Sequence, residues 1–285
     1  MRARSWHPSW QRVLRRVVPS SIVPVADSRH FAIKGLDLSD KSVLEIGALT
    51  RPIVARGAAR AVSYMDHAST DALHEKYRHE PSIDVDAIVA VDFVAHDGRI
   101  ASNVGAQKFD VVVAAHVVEH VPDLIGWLEE AESILEPGGV IALIVPDKRY
   151  TFDVCRRLSP RREVEAAYRE KRTRVGLWNV MDHFTNAVAA NTAALWARPE
   201  SAIEFAPTHT PDDVQRAIEI WNAGHYVDCH AWVFTPDHFL ELMTWAFDAF
   251  SIPLRVSRFI DTQVGDLEFY VQLQSTKLAE KPTRD

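Results

Sequence analysis

An α/β architecture, a mostly parallel sheet with helices on both faces and a helical insertion after the fifth strand, is predicted by three observations in this 285-residue sequence. Short apolar runs alternate with helix-forming stretches. Gly47 and Asp66 close the first two of those runs and stand nineteen residues apart. That is the spacing of a βαβ unit whose turn glycine admits a ligand to the backbone and whose acid grips a ribose. Finally, residues 153–234 are too long for a bare connection and carry their own helix signals.

The elements follow in order. Up to about Gly35 the chain is basic, with Arg2, Arg4, Arg12, Arg15 and Arg16 ahead of the first acid, Asp27, and Trp6, Trp10, Val13, Leu14 and Val17 interleaved among them. This reads as a helix over the ligand site or the sheet edge, with contact to anionic lipid as the alternative. The run Val43-Leu44-Glu45-Ile46 is the first strand, Ala61 to Asp66 the second, Val89-Ala90-Val91-Asp92-Phe93 the third, and Phe109 to His116 the fourth. Asp123 then caps a helix whose Leu124, Leu128, Ala131 and Leu135 share a face. Pro137-Gly138-Gly139 stops that helix before a fifth strand from Val140 to Val145. In the insertion, Thr210 caps, Pro211 takes the first helical position, Val214, Ala217, Ile218 and Trp221 form a stripe, and Gly224 ends the helix. Thr235 and Pro236 start another, with Phe239, Leu242, Met243, Ala246 and Phe250 on one face, before two closing strands near 254–260 and 267–273. The expected division is a helical extension (1–38), a ligand-binding core (39–152), a helical cap over the substrate (153–234) and a completion of the core (235–285).

Composition narrows the function classes. With 47% apolar and 25% charged residues the chain can bury a sizeable core. A net charge of −7 argues against general nucleic-acid binding. No apolar run is long enough to span a bilayer and no signal peptide is evident, so a cytoplasmic location is expected. The two cysteines, Cys155 and Cys229, lack metal-ligand spacing and point to reduced thiols. A monomer or a homodimer is the expected assembly.

The glycine turn selects among nucleoside ligands. A dinucleotide needs several glycines so that backbone N–H groups can reach its pyrophosphate, whereas Leu49 and Arg51 occupy those places here. A phosphate-free adenosine asks for one close approach, which Gly47 supplies. The run from Val43 to Asp147 resembles the core of class I S-adenosylmethionine-dependent methyltransferases, of the type 11 kind. The resemblance rests on Phe109-Asp110-Val111-Val112, on His116-Val117-Val118-Glu119-His120-Val121-Pro122-Asp123, and on Leu135-Glu136-Pro137-Gly138-Gly139 with its strand to Pro146. It departs from the family pattern at the turn, which has a single glycine. What it implies is a Rossmann-like seven-stranded, mostly parallel sheet in the order 3-2-1-4-5-7-6, an antiparallel closing pair, and S-adenosyl-L-methionine as cofactor.

The expected donor contacts are Glu45, Ile46, Gly47, Asp66, His67, Asp92, Phe93, Ala115 and His116. An ionised Asp66 can accept from both ribose hydroxyls. Asp92 would accept from the adenine amino group while Phe93 packs on the purine. Glu45 is expected near the methionine ammonium, directly or through the turn's hydrogen bonds, or as a structural brace. For the acceptor, His120, Lys148, Arg149, Tyr150 and Trp232 are candidates, the two cations suiting an anionic or hydroxylated molecule. An alcohol must lose its proton as it is methylated, so His230 is the leading general base and His183 the reserve. No short signature joins His116, His120, His183, His225 and His230, and no metal is expected. The strings Pro146 to Asp153 and His230 to Pro236 are also similar to bacterial methyltransferase-domain proteins associated with surface polysaccharide, which implies a sugar or sugar-nucleotide acceptor and O-methylation. The open alternatives are a non-catalytic nucleoside-binding scaffold and N-methylation of a small molecule.

Overall fold

The computed structural model describes residues 28–278 apart from Asp97 and Pro199, so the basic segment before residue 28 lies outside the described residues. The strands are β1 (Ser42–Ile46), β2 (Ala61–Asp66), β3 (Phe93–Val94), β4 (Phe109–Ala115), β5 (Leu135–Pro146), β6 (Leu254–Ile260) and β7 (Glu268–Ser275). They form one sheet in the order β3-β2-β1-β4-β5-β7-β6, the order the resemblance implied. Only β7 runs against its neighbours, β5 and β6. Helices α1 (Thr70–Tyr77), α2 (Ala101–Val104) and α3 (Leu124–Ser133) follow β2, β3 and β4. The insertion holds α4 (Arg161–Arg169), α5 (Leu177–Asn186), α6 (Thr192–Ala197) and α7 (Pro211–Asn222), and α8 (Pro236–Phe250) precedes β6.

Strand alternation splits the core in two. Val112 and Ala114 join Leu44, Ile141, Leu143 and Val271 on one face, whereas Val111 and Val113 join Val43, Ala142 and Ile144 on the other. The first face is covered by α3 and α8, whose Leu124, Leu128, Phe239 and Met243 are fully buried. Each such side chain contributes about 1.5–3 kcal/mol by leaving water. The second face carries the 3-10 turn Ser28–Ile33, through Ala32, and the loop residues Ile53 and Val54. Val180, Phe184 and Ala217 of the insertion share the first cluster with Cys229, Ala231 and Trp232, so the insertion packs as part of the main core.

Caps and turns explain most boundaries. Asp123 accepts from Gly126 N at 2.9 Å, and Thr210 makes a reciprocal capping box with Asp213 ahead of Pro211. Gly224, at φ +86°, ends α7 in the left-handed region. Thr235 stands at the N-cap of α8 without a side-chain bond, and Pro236 sets the first turn there. Two boundaries differ from the sequence reading. The third strand is short and late, because Val89 N donates to Leu49 O and pairing with β2 begins only when Asp92 N reaches Tyr64 O. The fifth begins at Leu135, since Pro137-Gly138-Gly139 form an irregularity within the strand: Phe109 pairs with Leu135, yet Val111 pairs with Val140. Among the described residues no helix is long and apolar enough to cross a membrane.

Candidate functional site

The parallel strands β1, β2, β4 and β5 end at one rim, at Ile46, Asp66, Ala115 and Pro146, and β7, running the other way, brings its first residue Glu268 opposite Pro146. Ligands of such sheets bind along the carboxyl ends of the strands. Ile46 is buried in the core, and Gly47, exposed at φ +75°, turns the chain immediately after it. A Cβ on Gly47 would meet Val117 Cγ2 at 3.2 Å, so the turn leaves backbone open where a side chain would intrude. Asp66 ends β2 with Oδ1 on the N–H of His67 at 2.7 Å and on its Nδ1 at 2.6 Å. His67 also lies 3.1 Å from Lys76 Nζ. Oδ2 of Asp66 has no bond among the described residues.

Three expected donor contacts make contacts within the protein. Glu45 is fully buried and accepts from Ile53 N at 2.8 and 3.0 Å and from Val54 N at 2.9 Å, which fixes the loop after Gly47. Burial pushes its carboxyl upward against those bonds. The carboxylate therefore braces the turn instead of meeting an ammonium. Asp92 precedes β3, level with Tyr64 and two residues short of the rim at Asp66. Its Oδ2 takes Tyr64 N at 2.8 Å and Arg56 Nη2 at 2.6 Å, so it ties the sheet edge together. Phe93, half-buried, sets its ring edge-on to Phe109 at 6.4 Å and packs against the core.

Beyond Ala115 the rim carries a charged cluster. His116, in the left-handed region at φ +53°, reaches Glu268 Oε2 at 2.5 Å through Nε2 and stands 3.3 Å from Glu119 Oε1 through Nδ1. Burial alone would lower its pKa; contact with the two carboxylates outweighs that and raises it to about 10. Burial likewise opposes ionisation of Glu119, but the cations around it hold its carboxyl below the ordinary range. Glu119 main-chain O accepts from Ala231 N at 2.7 Å and Trp232 N at 3.1 Å, which pins the segment leaving the insertion to the rim. His230 sits on that segment with Nδ1 2.6 Å from Asp153 Oδ2, while Asp228 lies 3.1 Å from His120 Nδ1. Each of the two histidines thus has a carboxylate of its own. Arg156, 2% exposed, supports the arrangement from behind, bonding Asp153, Asp182 and His230 O at 2.7, 2.8 and 2.9 Å.

The remaining acceptor candidates separate from this cluster. His183 is buried, and its Nδ1 accepts from His230 N at 3.3 Å. Burial, then the charge of Arg156, keeps its pKa well below the ordinary value, which makes it a weak proton acceptor whose Nδ1 is already taken by the N–H of His230. Lys148 Nζ donates to Val154 O at 2.6 Å, and Arg149 forks onto Asp147, so both cations are committed within the protein. Tyr150 stacks on Trp196 at 3.9 Å with 5° between the rings. Trp232 is 1% exposed and donates to Val121 O, which makes it core and removes it from the acceptor surface. Only His120 and His230 of the predicted acceptor residues meet at the rim, their rings 4.8 Å apart. Asp153, Arg156, Asp182 and Glu268 were not singled out as site residues. Their partners lie far off in sequence, and the one local signal is the i,i+3 spacing of Asp153 and Arg156.

A seven-stranded sheet in this order, with one turn glycine after β1, an acid ending β2 and a helical insertion after β5, is an α/β fold of the doubly wound, Rossmann-like kind. A methyltransferase-domain model matches residues 23–248, and the chain belongs to that family. It is 32% identical over 138 residues to a ubiquinone biosynthesis O-methyltransferase of Methylobacterium nodulans, a match covering 45% of this chain and 52% of that protein. The chain thus spans about half the length of that relative. A putative S-adenosylmethionine-dependent methyltransferase from Listeria monocytogenes shares 12% identity at a TM-score of 0.44, covering 87% of this chain and 97% of that one. The N-methyltransferase NodS of Bradyrhizobium japonicum, solved with S-adenosyl-L-homocysteine, shares 12% at 0.43, with 94% and 97% covered. Neither structural likeness bears on the acceptor.

Proposed function

We propose that this chain is an S-adenosylmethionine-dependent methyltransferase acting on a hydroxyl oxygen of a small molecule. Family membership supports the class, and the rim fits the donor. Gly47 admits an adenosine without a phosphate, and Asp66 offers a carboxylate oxygen at ribose level. Ile46, Ala115 and His116 complete that rim. Bound S-adenosylmethionine supplies a methyl group on a positively charged sulfur, open to in-line attack.

The single observation that carries the acceptor side is the Glu119, His120 and His230 cluster beside the end of β4. It is a proton-accepting unit fixed by Asp153 and Asp228, and a hydroxyl needs one where an amine entering neutral does not. The relative from Methylobacterium nodulans is named an O-methyltransferase, which supports oxygen as the target. With Lys148 and Arg149 internally paired, recognition of an anionic acceptor loses its support; a sugar hydroxyl stays within the class. The cap on this rim excludes water from the reacting atoms.

Calorimetry with S-adenosylmethionine, followed by mass analysis of a panel of hydroxylated acceptors, tests the reading. Wild-type chain should bind donor and yield a product heavier by one CH2 on oxygen, and Asp66→Ala should lower donor affinity by about tenfold or more. Donor affinity unchanged in Asp66→Ala, or methyl found on nitrogen, overturns it.

A further inference from the structure

Glu119 is fully buried; His116 Nδ1 approaches its Oε1 to 3.3 Å, but neither carboxylate oxygen has a partner in hydrogen-bond geometry among the described residues. One imidazole on one oxygen leaves a buried carboxylate short of partners, and a further cation between it and the neighbouring rings would offset that cost. His120 Nε2 and His230 Nε2 lie 3.9 and 4.0 Å from its Oε1, too far for hydrogen bonds. Yet ligand atoms of the three residues all fall within 4.8 Å of one another. Around one cation with bonds of about 2.1 Å, tetrahedral ligand atoms are about 3.4 Å apart, so a small inward shift closes the shell.

The outer contacts agree. His230 Nδ1 is held by Asp153 at 2.6 Å, and His120 Nδ1 lies 3.1 Å from Asp228, short in distance though oblique in angle. Metal-binding histidines have this pattern, with the far ring nitrogen against a carboxylate and the near one offering its lone pair. The two rings stand 88° apart, so the near nitrogens converge without stacking. His116 is drawn to Glu268 and belongs to the surrounding ring of groups. That ring is anionic, because Glu119, Glu268, Asp153, Asp182 and Asp228 gather about Arg156 and the imidazoles.

We propose that Glu119, His120 and His230 form a binding site for a divalent transition-metal cation, of which Zn2+ is the reference, through one carboxylate and two Nε2 atoms with open positions remaining. The sequence alone gave no reason to expect a metal, since its ligands come from two segments more than a hundred residues apart. The site stands on its own geometry. Where the methyl-transfer reading also holds, a cation held by Glu119, His120 and His230 would make a nearby acceptor hydroxyl more acidic, so that its proton could pass to solvent and His230 would serve as ligand in place of base.

The full chain, stripped with a chelator, is titrated with Zn2+ in calorimetry and with Co2+ in visible absorption. One equivalent should bind, with cobalt bands of four- or five-coordinate intensity and a melting midpoint that rises with Zn2+ concentration. Asp153→Asn and Asp228→Asn should weaken binding by about tenfold to hundredfold, and Glu119→Gln by more. His120→Asn, on a less buried side chain, is the second ligand variant should Glu119→Gln fail to fold. Absence of saturable binding, or a zinc affinity and cobalt spectrum unchanged in His120→Asn, overturns the site. Donor affinity is measured on the same stripped chain. Donor binding without metal uptake removes the site and leaves methyl transfer standing, whereas metal uptake without donor binding upholds the site and removes methyl transfer.

Discussion

Replacing Arg156 by Met tests whether the insertion is held to the rim by buried charge. The guanidinium bonds Asp153 at 2.7 Å and Asp182 at 2.8 Å, with side chains 1%, 2% and 10% exposed respectively. Methionine fills a similar volume and leaves both acids without their cation. Breaking a buried pair by removing one partner costs about 3–5 kcal/mol. Two such losses do not add here, because Asp153 keeps His230 at 2.6 Å and Asp182 keeps Asn186 and some solvent. The expected loss is therefore about 3–5 kcal/mol in all, near a 10 °C fall in melting midpoint for a chain of this size. Urea unfolding followed by both circular dichroism and tryptophan fluorescence measures it, the two probes checking that one transition is seen. Arg156→Lys should fall between, since an ammonium lacks the planar fork that also reaches His230 O. A loss below about 1 kcal/mol in Arg156→Met would show the pairs to be weak and the argument wrong.

Further outcomes follow from the same geometry. Glu45→Gln puts an amide NH2 where an oxygen accepted from Ile53 and Val54, and should cost about 1–3 kcal/mol in urea while loosening the donor turn; an unchanged midpoint rejects the brace. Gly47→Val forces a branched side chain to φ +75°, costing about 1–2 kcal/mol, and should weaken donor binding in calorimetry more than it lowers the melting midpoint. Asp110 is held below the ordinary carboxylate range, burial being outweighed by bonds from Ser42 and Lys41. A depressed folded value means that its contribution is present above the unfolded value of 3.8 and is lost as pH falls through the folded one. The urea midpoints of wild type and Asp110→Asn should thus differ at pH 5 and converge in stronger acid, and a constant gap contradicts this.

The sheet was legible because its signals are local. Apolar runs, the Asp123 and Thr210 caps and the spacing of Gly47 and Asp66 each act within a few residues, and the strand order followed from resemblance. The site was legible only in part. Asp92 looked like a rim acid because the run before it reads as a strand, whereas the segment from Val89 docks on Leu49 first and delays the pairing. Adjacency put Asp147 and Asp153 within reach of Lys148 and Arg149 as ion-pair partners; Arg149 does take Asp147, whereas Lys148 turns to Val154 O, which adjacency does not encode. His230 was found, but its partner Asp153 is 77 residues away, and no periodicity encodes such a meeting.

One feature of the sheet also governs how the molecule is made. The strand β7, the last among the described residues, lies inside the sheet between β5 and β6 and delivers Glu268 to His116. While the nascent chain is still short of residue 275, β5 therefore has an open flank and His116 lacks its acid. The parallel half can form on the ribosome, but the finished rim has to wait for the final strand to emerge, and until then the bare edge of β5 is exposed to wrong pairing.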